Sequence, residues 1–180
     1  MKVTTSKALL PLAGLLLALP GGAQIERLSL DQMVARADHG VVGHITQREV
    51  FRVDHPVDGP ELYFTRLTIE GTSAYGDQPL AVQVLYHGGF IDRENGVHNS
   101  EAPSADDVRL GNRVLAFYKA TDNMGGDVAG NALFAAHGGI YRVVEGRQGA
   151  VVLGRGEGYA IRDNVRLNEL QTRMARIRTR

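Results

Sequence analysis

The chain has 180 residues, carries 20 basic and 20 acidic side chains, and contains no cysteine. A domain that binds nucleic acid usually has a basic surplus, so the charge balance argues against that class of function. The absence of cysteine excludes a small scaffold built on disulfides, and the length suits a single domain.

The first two dozen residues have the pattern of a secretory signal peptide. Lys2 and Lys7 precede an apolar stretch at 8–19, and the small residues of PGGA follow it. A basic flank, an apolar run and a small-residue exit are typical of such peptides, whereas a membrane-spanning helix needs about 20 apolar residues. We therefore expect a signal peptide at 1–23, no transmembrane segment after its cleavage, and a periplasmic or secreted bacterial protein.

A short helix is predicted at 29–38. Ser29 and Gln32 have the spacing of a capping box, in which each residue's side chain accepts the other's backbone N–H. The apolar residues recur at helical spacing and would face the core; they are Leu30, Met33, Val34 and Ala37.

Strand patterns fill the middle of the chain. β-branched and aromatic residues alternate with polar ones between Gly- and Pro-rich turns, which is typical of strands. The predicted strands are 40–53, 61–76, 80–90, 110–120, 132–146 and 149–154. The segment at 91–107 is polar, acidic and long for a connection, so we expect a functional or mobile loop there. Short strands at this spacing favour a small antiparallel barrel or sandwich.

The chain ends in a second predicted helix, at 168–178. Asn168 and Gln171 repeat the capping-box spacing, and Leu170, Met174 and Ile177 form an apolar stripe. We expect a β-barrel domain at 24–160, followed by an amphipathic C-terminal helix within 161–180.

Four segments in order resemble a loosely defined family of exported bacterial domains of unassigned function: SLDQMVARADHGVVGHIT, VQVLYHGG, LGNRVLAFYKA and GIYRVVEGRQGA. The resemblance covers about 28–153 and rests mainly on apolar residues and turn glycines. It implies a small OB-like barrel, similar to netrin and metalloprotease-inhibitor modules, and carries over no catalytic residue. This chain has His87 where that family tends to have proline before the paired glycines.

Two short motifs, YHGGF at 86–90 and AHGGI at 136–140, have several interpretations. An HGG loop can donate backbone N–H groups to an oxyanion, but that chemistry needs a Gly-x-Ser-x-Gly elbow. The nearest segment, GTSAY around Ser73, lacks the second glycine. Paired glycines also suit a turn, because glycine readily adopts positive φ.

A metal site is a further interpretation of the histidines. His87, His98 and His137 offer imidazole nitrogens that zinc accepts, although their spacing is not diagnostic. The segment DRENG at 92–96 departs from the calcium-loop pattern.

We therefore predict an exported, non-enzymatic binding module without a cofactor, which contacts a protein of the envelope or secretome. Its interaction loop would carry Asp92, Glu94, Glu101, Asp106 and Asp107. The alternative is a metal-binding protein or metal-dependent hydrolase that holds zinc with His87, His98 and His137.

Overall fold

The computed structural model describes residues 27–179, so the predicted signal peptide at 1–23 lies outside the described residues. The fold is mainly β, with two helices, α1 (Leu30–Arg36) and α2 (Leu167–Arg178). The strands are β1 (His39–His55), β2 (Gly59–Ser73), β3 (Pro79–His87), β4 (Gly89–Phe90), β5 (Gly96–Val97), β6 (Arg113–Thr121), β7 (Gly130–Leu133), β8 (Ile140–Gly146), β9 (Gly149–Val152) and β10 (Val165–Arg166).

Five strands close into a barrel in the order β1-β2-β3-β7-β6, because β6 pairs back onto β1. Every neighbouring pair in this ring is antiparallel except β3 and β7, which are parallel. Such a five-stranded ring with a crossover is the arrangement of OB-like barrels. The predicted OB-like barrel is therefore confirmed. β8 pairs with the first half of β6, along the same edge that β7 occupies in its second half, and β9 and β10 continue the sheet from β8 beyond the ring.

The core lies on both faces of the strands that close the barrel. Side chains alternate along a strand, so Val41 and Val114 point into the barrel while Val42 and Leu115 point to the opposite face. The two helices cover that outer face, where Met33 and Met174 are buried. This double burial explains why β6 is a nearly unbroken apolar run, VLAFY, instead of a strict alternation.

Local signals predicted the start of α1 but not the start of α2. The capping box is present, since Ser29 Oγ accepts the Gln32 N–H at 3.2 Å and Gln32 Oε1 accepts the Ser29 N–H at 2.9 Å. The box predicted at Asn168 is wrong: α2 begins at Leu167 and has no side-chain cap at its start. Leu167 is buried against the core, so packing fixes the first turn one residue earlier.

The C-terminal helix docks on its own domain. Leu170 and Met174 are buried on the same core as α1, and Arg178 donates hydrogen bonds to three carbonyl oxygens at the end of α1, those of Val34, Ala37 and Asp38. The helix fills only part of the predicted segment at 161–180, because the chain before it forms a turn and β10. Within residues 27–179, neither helix is long and apolar enough to cross a membrane.

Candidate functional site

The two HGG motifs lie at the same end of the barrel. The first begins at His87, the last residue of β3, and the second lies in a 3-10 turn at Ala136–Gly139, shortly after β7. Because β3 and β7 are parallel neighbours, the segments that follow them leave the sheet at a common edge. Residues 50 positions apart in the sequence are thus brought to one region.

The first HGG motif is a turn that requires its glycines. Gly88 and Gly89 have φ angles of +92° and +128°, a region that glycine enters without a steric penalty. Thr65, a buried residue of β2, donates its hydroxyl to the Gly88 carbonyl at 2.6 Å. A Cβ on Gly89 would lie 2.4 Å from that hydroxyl oxygen. The turn interpretation therefore describes this motif.

The second HGG motif has a different structural reason. Its glycines are not at positive φ; the two preceding alanines are, with φ of +58° at Ala135 and +52° at Ala136. A Cβ on Gly139 would lie 1.8 Å from the Phe134 carbonyl oxygen, so close backbone approach demands glycine there. The strand predicted at 132–146 is wrong at this point, since the 3-10 turn divides it into β7 and β8.

The histidines of both motifs favour the neutral form. The His87 ring packs on Phe64 with 4.9 Å between ring centroids, and burial lowers the pKa of His87 although Glu101 opposes the shift. The His137 Nδ1 lies 3.3 Å from the Tyr159 hydroxyl. Burial and then the Arg155 guanidinium lower the pKa of His137.

The three histidines proposed as zinc ligands do not form a ligand set. His98 lies exposed just after the β4–β5 hairpin, while His87 and His137 lie at the barrel end. Across residues 27–179, no group of three or more histidine or acidic side chains is placed to hold a metal ion. The zinc interpretation gains no support from this geometry and stays a prediction.

The serine of the candidate nucleophile elbow serves a turn. Ser73 ends β2, and its hydroxyl oxygen accepts the Tyr75 backbone N–H at 3.2 Å.

The acidic segment at 91–107 is folded in two parts. Residues 89–97 form the β4–β5 hairpin, whose tip is fixed because Asp92 accepts the backbone N–H groups of Glu94 and Asn95, each at 2.8 Å. The rest of the segment crosses the end of the barrel and leads to Val108, which is buried in the barrel core. The loop is therefore an ordered part of the fold.

Two of the five predicted interaction carboxylates, those of Asp106 and Asp107, lie in the part of the segment after the hairpin and bind other side chains of the protein. Asp106 pairs with Arg109. Asp107 accepts the Ser104 hydroxyl at 2.7 Å and pairs with Arg155 at 3.4 Å. These two carboxylates hold the loop together, as Asp92 does in the hairpin.

The carboxylates of Glu94 and Glu101 make no hydrogen bond or ion pair within the described part of the chain. Glu94 is exposed on the hairpin, whereas Glu101 is half-buried at the barrel end. The negative charge of Glu101 acts to raise the pKa of both HGG histidines, against the effect of burial. The backbone carbonyl oxygen of Glu101 accepts the backbone N–H of His137 at 2.9 Å. Glu101 is thus the group that links the two motifs.

A cleft of about 350 Å³ opens at this end of the barrel. Its lining combines apolar walls with hydroxyl, amide, imidazole and carboxylate groups; the residues are Leu85, Tyr86, His87, Asn99, Glu101, Ala102, Thr121, Asn123, Met124, Ala132, Leu133 and Ala136. Sequence reasoning missed Asn123 and Met124, because only the parallel pairing of β3 with β7 brings the 121–131 turn to this position.

A larger groove, of about 620 Å³, lies between α1, the 159–165 segment and α2. Three of the four charged residues on its walls are already paired: Arg162 with Glu157 at 3.1 Å, Arg173 with Asp31 at 3.8 Å, and Glu169 with Arg166 at 3.5 Å. The fourth, Asp163, is exposed. The smaller cleft is the better candidate, since its carboxylate, that of Glu101, belongs to a half-buried residue and lacks such a partner within residues 27–179.

The β4–β5 hairpin beside the cleft exposes large apolar side chains. Phe90 and Ile91 are each 52% exposed and Val97 is 45% exposed. The hairpin emerges between His87 and Asn99, both of which line the cleft. Phe90 pairs with Gly96 and Val97 with Gly89, so the hairpin presents Phe90 on one face and Val97 on the other. Exposed apolar side chains close together on a short element are typical of interaction surfaces.

No protein-family model, no curated protein and no solved structure matches this chain. The resemblance to exported OB-like domains therefore stays a prediction.

Proposed function

We propose that this protein is an exported, non-enzymatic binding module that holds a protein partner at the end of the barrel where β3 and β7 terminate. The contact surface is the β4–β5 hairpin together with the cleft at its foot. Small barrels commonly bind ligands at their mouths, through the loops that connect their strands.

The observation that carries this proposal is the exposure of Phe90, Ile91 and Val97 on one ordered hairpin. Hydrogen bonds close the hairpin at its base and at its tip. At the base, the Asn99 side-chain amide donates to the His87 carbonyl at 3.1 Å. At the tip, the Ile91 backbone N–H donates to the Asn95 carbonyl at 2.8 Å. An ordered surface loses little conformational entropy on binding, which favours affinity.

The underlying strands support the hairpin as a platform. A Cβ on Gly89 would touch both methyl groups of Val50 at 3.1 Å, which shows how closely β4 lies on β1. Phe51 and Phe64 stack below with 5.6 Å between centroids, and the Arg66 guanidinium lies 4.6 Å from the Phe51 ring. The start of the hairpin is therefore packed against β1 and β2.

The test compares two triple variants of the purified protein. F90S/I91S/V97S removes the apolar surface of the hairpin, and V57S/L110S/V144S removes three exposed apolar side chains elsewhere, whose exposures are 84%, 57% and 38%. Each variant captures proteins from the exported fraction of the source organism. We expect a partner that wild type and control retain and that the hairpin variant recovers at least tenfold less.

Equal recovery by all three proteins would overturn the proposal, as would the absence of any saturable partner for the wild type. Thermal melts of both variants check that the fold is intact, which we expect because the replaced side chains are exposed.

A further inference from the structure

We propose that the cleft binds the basic side chain of an arginine or lysine residue in the partner polypeptide. This inference rests on the proposed function and adds the chemical class that the site selects. The recognising groups are the Glu101 carboxylate and the apolar walls beside it.

The charge of the cleft favours a cationic ligand. The Glu101 carboxylate is half-buried and has no hydrogen-bonding or ion-pair partner within residues 27–179. Arg155, the cation that acts on His137 at this end, is engaged with Asp107 and with the carbonyl oxygens of His137 and Ile140. A ligand that supplies a cation would give this carboxylate a charge-assisted hydrogen bond, which is stronger than a bond between neutral groups.

The two imidazoles beside Glu101 do not neutralise it at pH 7. Both His87 and His137 have a pKa below the ordinary value for histidine, mainly because they are buried. A neutral imidazole leaves the negative charge of Glu101 uncompensated. The cleft therefore repels anionic ligands such as phosphates or carboxylates.

The walls of the cleft fit the aliphatic part of a long basic side chain. Leu85, Ala132 and Leu133 form an apolar surface, and Met124 adds a flexible thioether that adapts to the shape of a ligand. Arginine and lysine stems pack along apolar surfaces while their charged ends reach a polar group. The volume, about 350 Å³, is near the lower end of the 300–1,000 Å³ usual for ligand sites, which suits one side chain.

An apolar ligand would fit the apolar walls but not the Glu101 carboxylate. It would cover Glu101 and leave a buried carboxylate without a partner. Only a ligand with an apolar stem and a cationic end satisfies both parts of the lining.

The test titrates the purified protein with the peptide Ac-Ala-Ala-Arg-Ala-Ala-amide, observed by amide chemical shifts and by calorimetry. The control peptide has citrulline in place of arginine, which keeps the shape and removes the charge. We expect saturable binding of the arginine peptide with shift changes at His87, Asn99 and Asn123, and at least tenfold weaker binding of the citrulline peptide.

The matched protein variants are E101Q and D163N. Both remove a carboxylate that has no hydrogen-bond or ion-pair partner within residues 27–179, but Glu101 lines the cleft whereas Asp163 lies in the other groove. We expect E101Q to weaken arginine-peptide binding at least tenfold and D163N to leave it within about twofold. Equal binding of both peptides, no binding, an unchanged E101Q variant, or equal losses in both variants would overturn the inference.

Agmatine, a small free guanidinium compound, separates the two sources of this chemistry. Tighter binding of agmatine than of the peptide would overturn the assignment to a polypeptide. The two proposals can also fail separately. If the hairpin variant loses the protein partner but E101Q retains it, only the inference that the cleft binds a basic side chain is wrong. Arginine binding in the cleft with an unaffected hairpin variant removes only the hairpin assignment.

Discussion

At the scale of single residues, the two glycines of AHGGI have opposite tolerances. A Cβ on Gly139 would lie 1.8 Å from a backbone oxygen, whereas one on Gly138 meets no atom closer than 3.9 Å and neither glycine has positive φ. We expect G139A to lower the free energy of unfolding by about 3 kcal/mol, the upper range for overpacking. We expect G138A to change it by less than about 1 kcal/mol. Urea denaturation measures both, and equal effects would contradict the steric explanation of this motif.

The two HGG histidines also predict how stability depends on pH. Their pKa values are lowered in the folded state, so the unfolded chain binds more protons once the pH falls below the ordinary histidine value of about 6.5. Their contribution to stability is therefore complete above about pH 6.5 and is lost as the pH falls through the lowered values. We expect H87Q/H137Q to show a smaller loss of stability between pH 7 and pH 5 than wild type. Parallel stability curves for the two proteins would contradict this.

At the scale of elements, Arg178 attaches α2 to α1. Its guanidinium satisfies three carbonyl oxygens at the end of α1, where a helix leaves acceptors without intrahelical partners. We expect R178A to cost about 2 kcal/mol, since hydrogen bonds from charged groups contribute about 1.5–3 kcal/mol. R176A, on the same turn and exposed, is the control, and we expect a change within about 0.5 kcal/mol. Urea denaturation with hydrogen exchange of the α2 amides checks both, and similar losses would show that Arg178 has no special role.

The elements differ in how well their sequence predicted them. The capping box at Ser29 and the alternation of β1 to β3 are local patterns, and they predicted where these elements lie. The strand predicted at 80–90 is wrong at its end, because β3 stops at His87 and the turn at Gly88 and Gly89 separates it from β4. The break between β7 and β8 was not predictable, because it depends on the contact between Gly139 and the Phe134 carbonyl. The start of α2 was displaced from Asn168 by the burial of Leu167. Local signals fail where a distant contact decides the structure.

At the scale of the whole molecule, the fold class was predictable but the site was not. The strand patterns and turn spacing indicated a small antiparallel barrel or sandwich, and the resemblance to exported domains implied its OB-like form. The parallel pairing of β3 with β7 is non-local, and it brings Asn123 and Met124 into the same cleft as His87. Glu101 was among the five predicted interaction residues, but the sequence did not distinguish it from the other four. The structure does, because Asp92, Asp106 and Asp107 form bonds within the protein that stabilise the loop, whereas the Glu101 carboxylate has no such partner within residues 27–179.

Because no three metal-ligating side chains converge within residues 27–179, we expect a chelator to leave the thermal midpoint unchanged. Metal analysis of the untreated protein accompanies the melt. A stoichiometric zinc content with a clear fall in midpoint would contradict this and favour the alternative site of His87, His98 and His137.

The claim that the β3/β7 end of the barrel is the binding end is tested most directly by photo-cross-linking in the source organism. A p-benzoylphenylalanine residue replaces Ile91 on the hairpin or, as the control, Val144 on β8, both of which are exposed. We predict a discrete covalent adduct with one protein from position 91 and none from position 144, and a loss of the adduct when E101Q is combined with the probe at 91. Adducts from position 144 alone, or from neither position, would contradict the account.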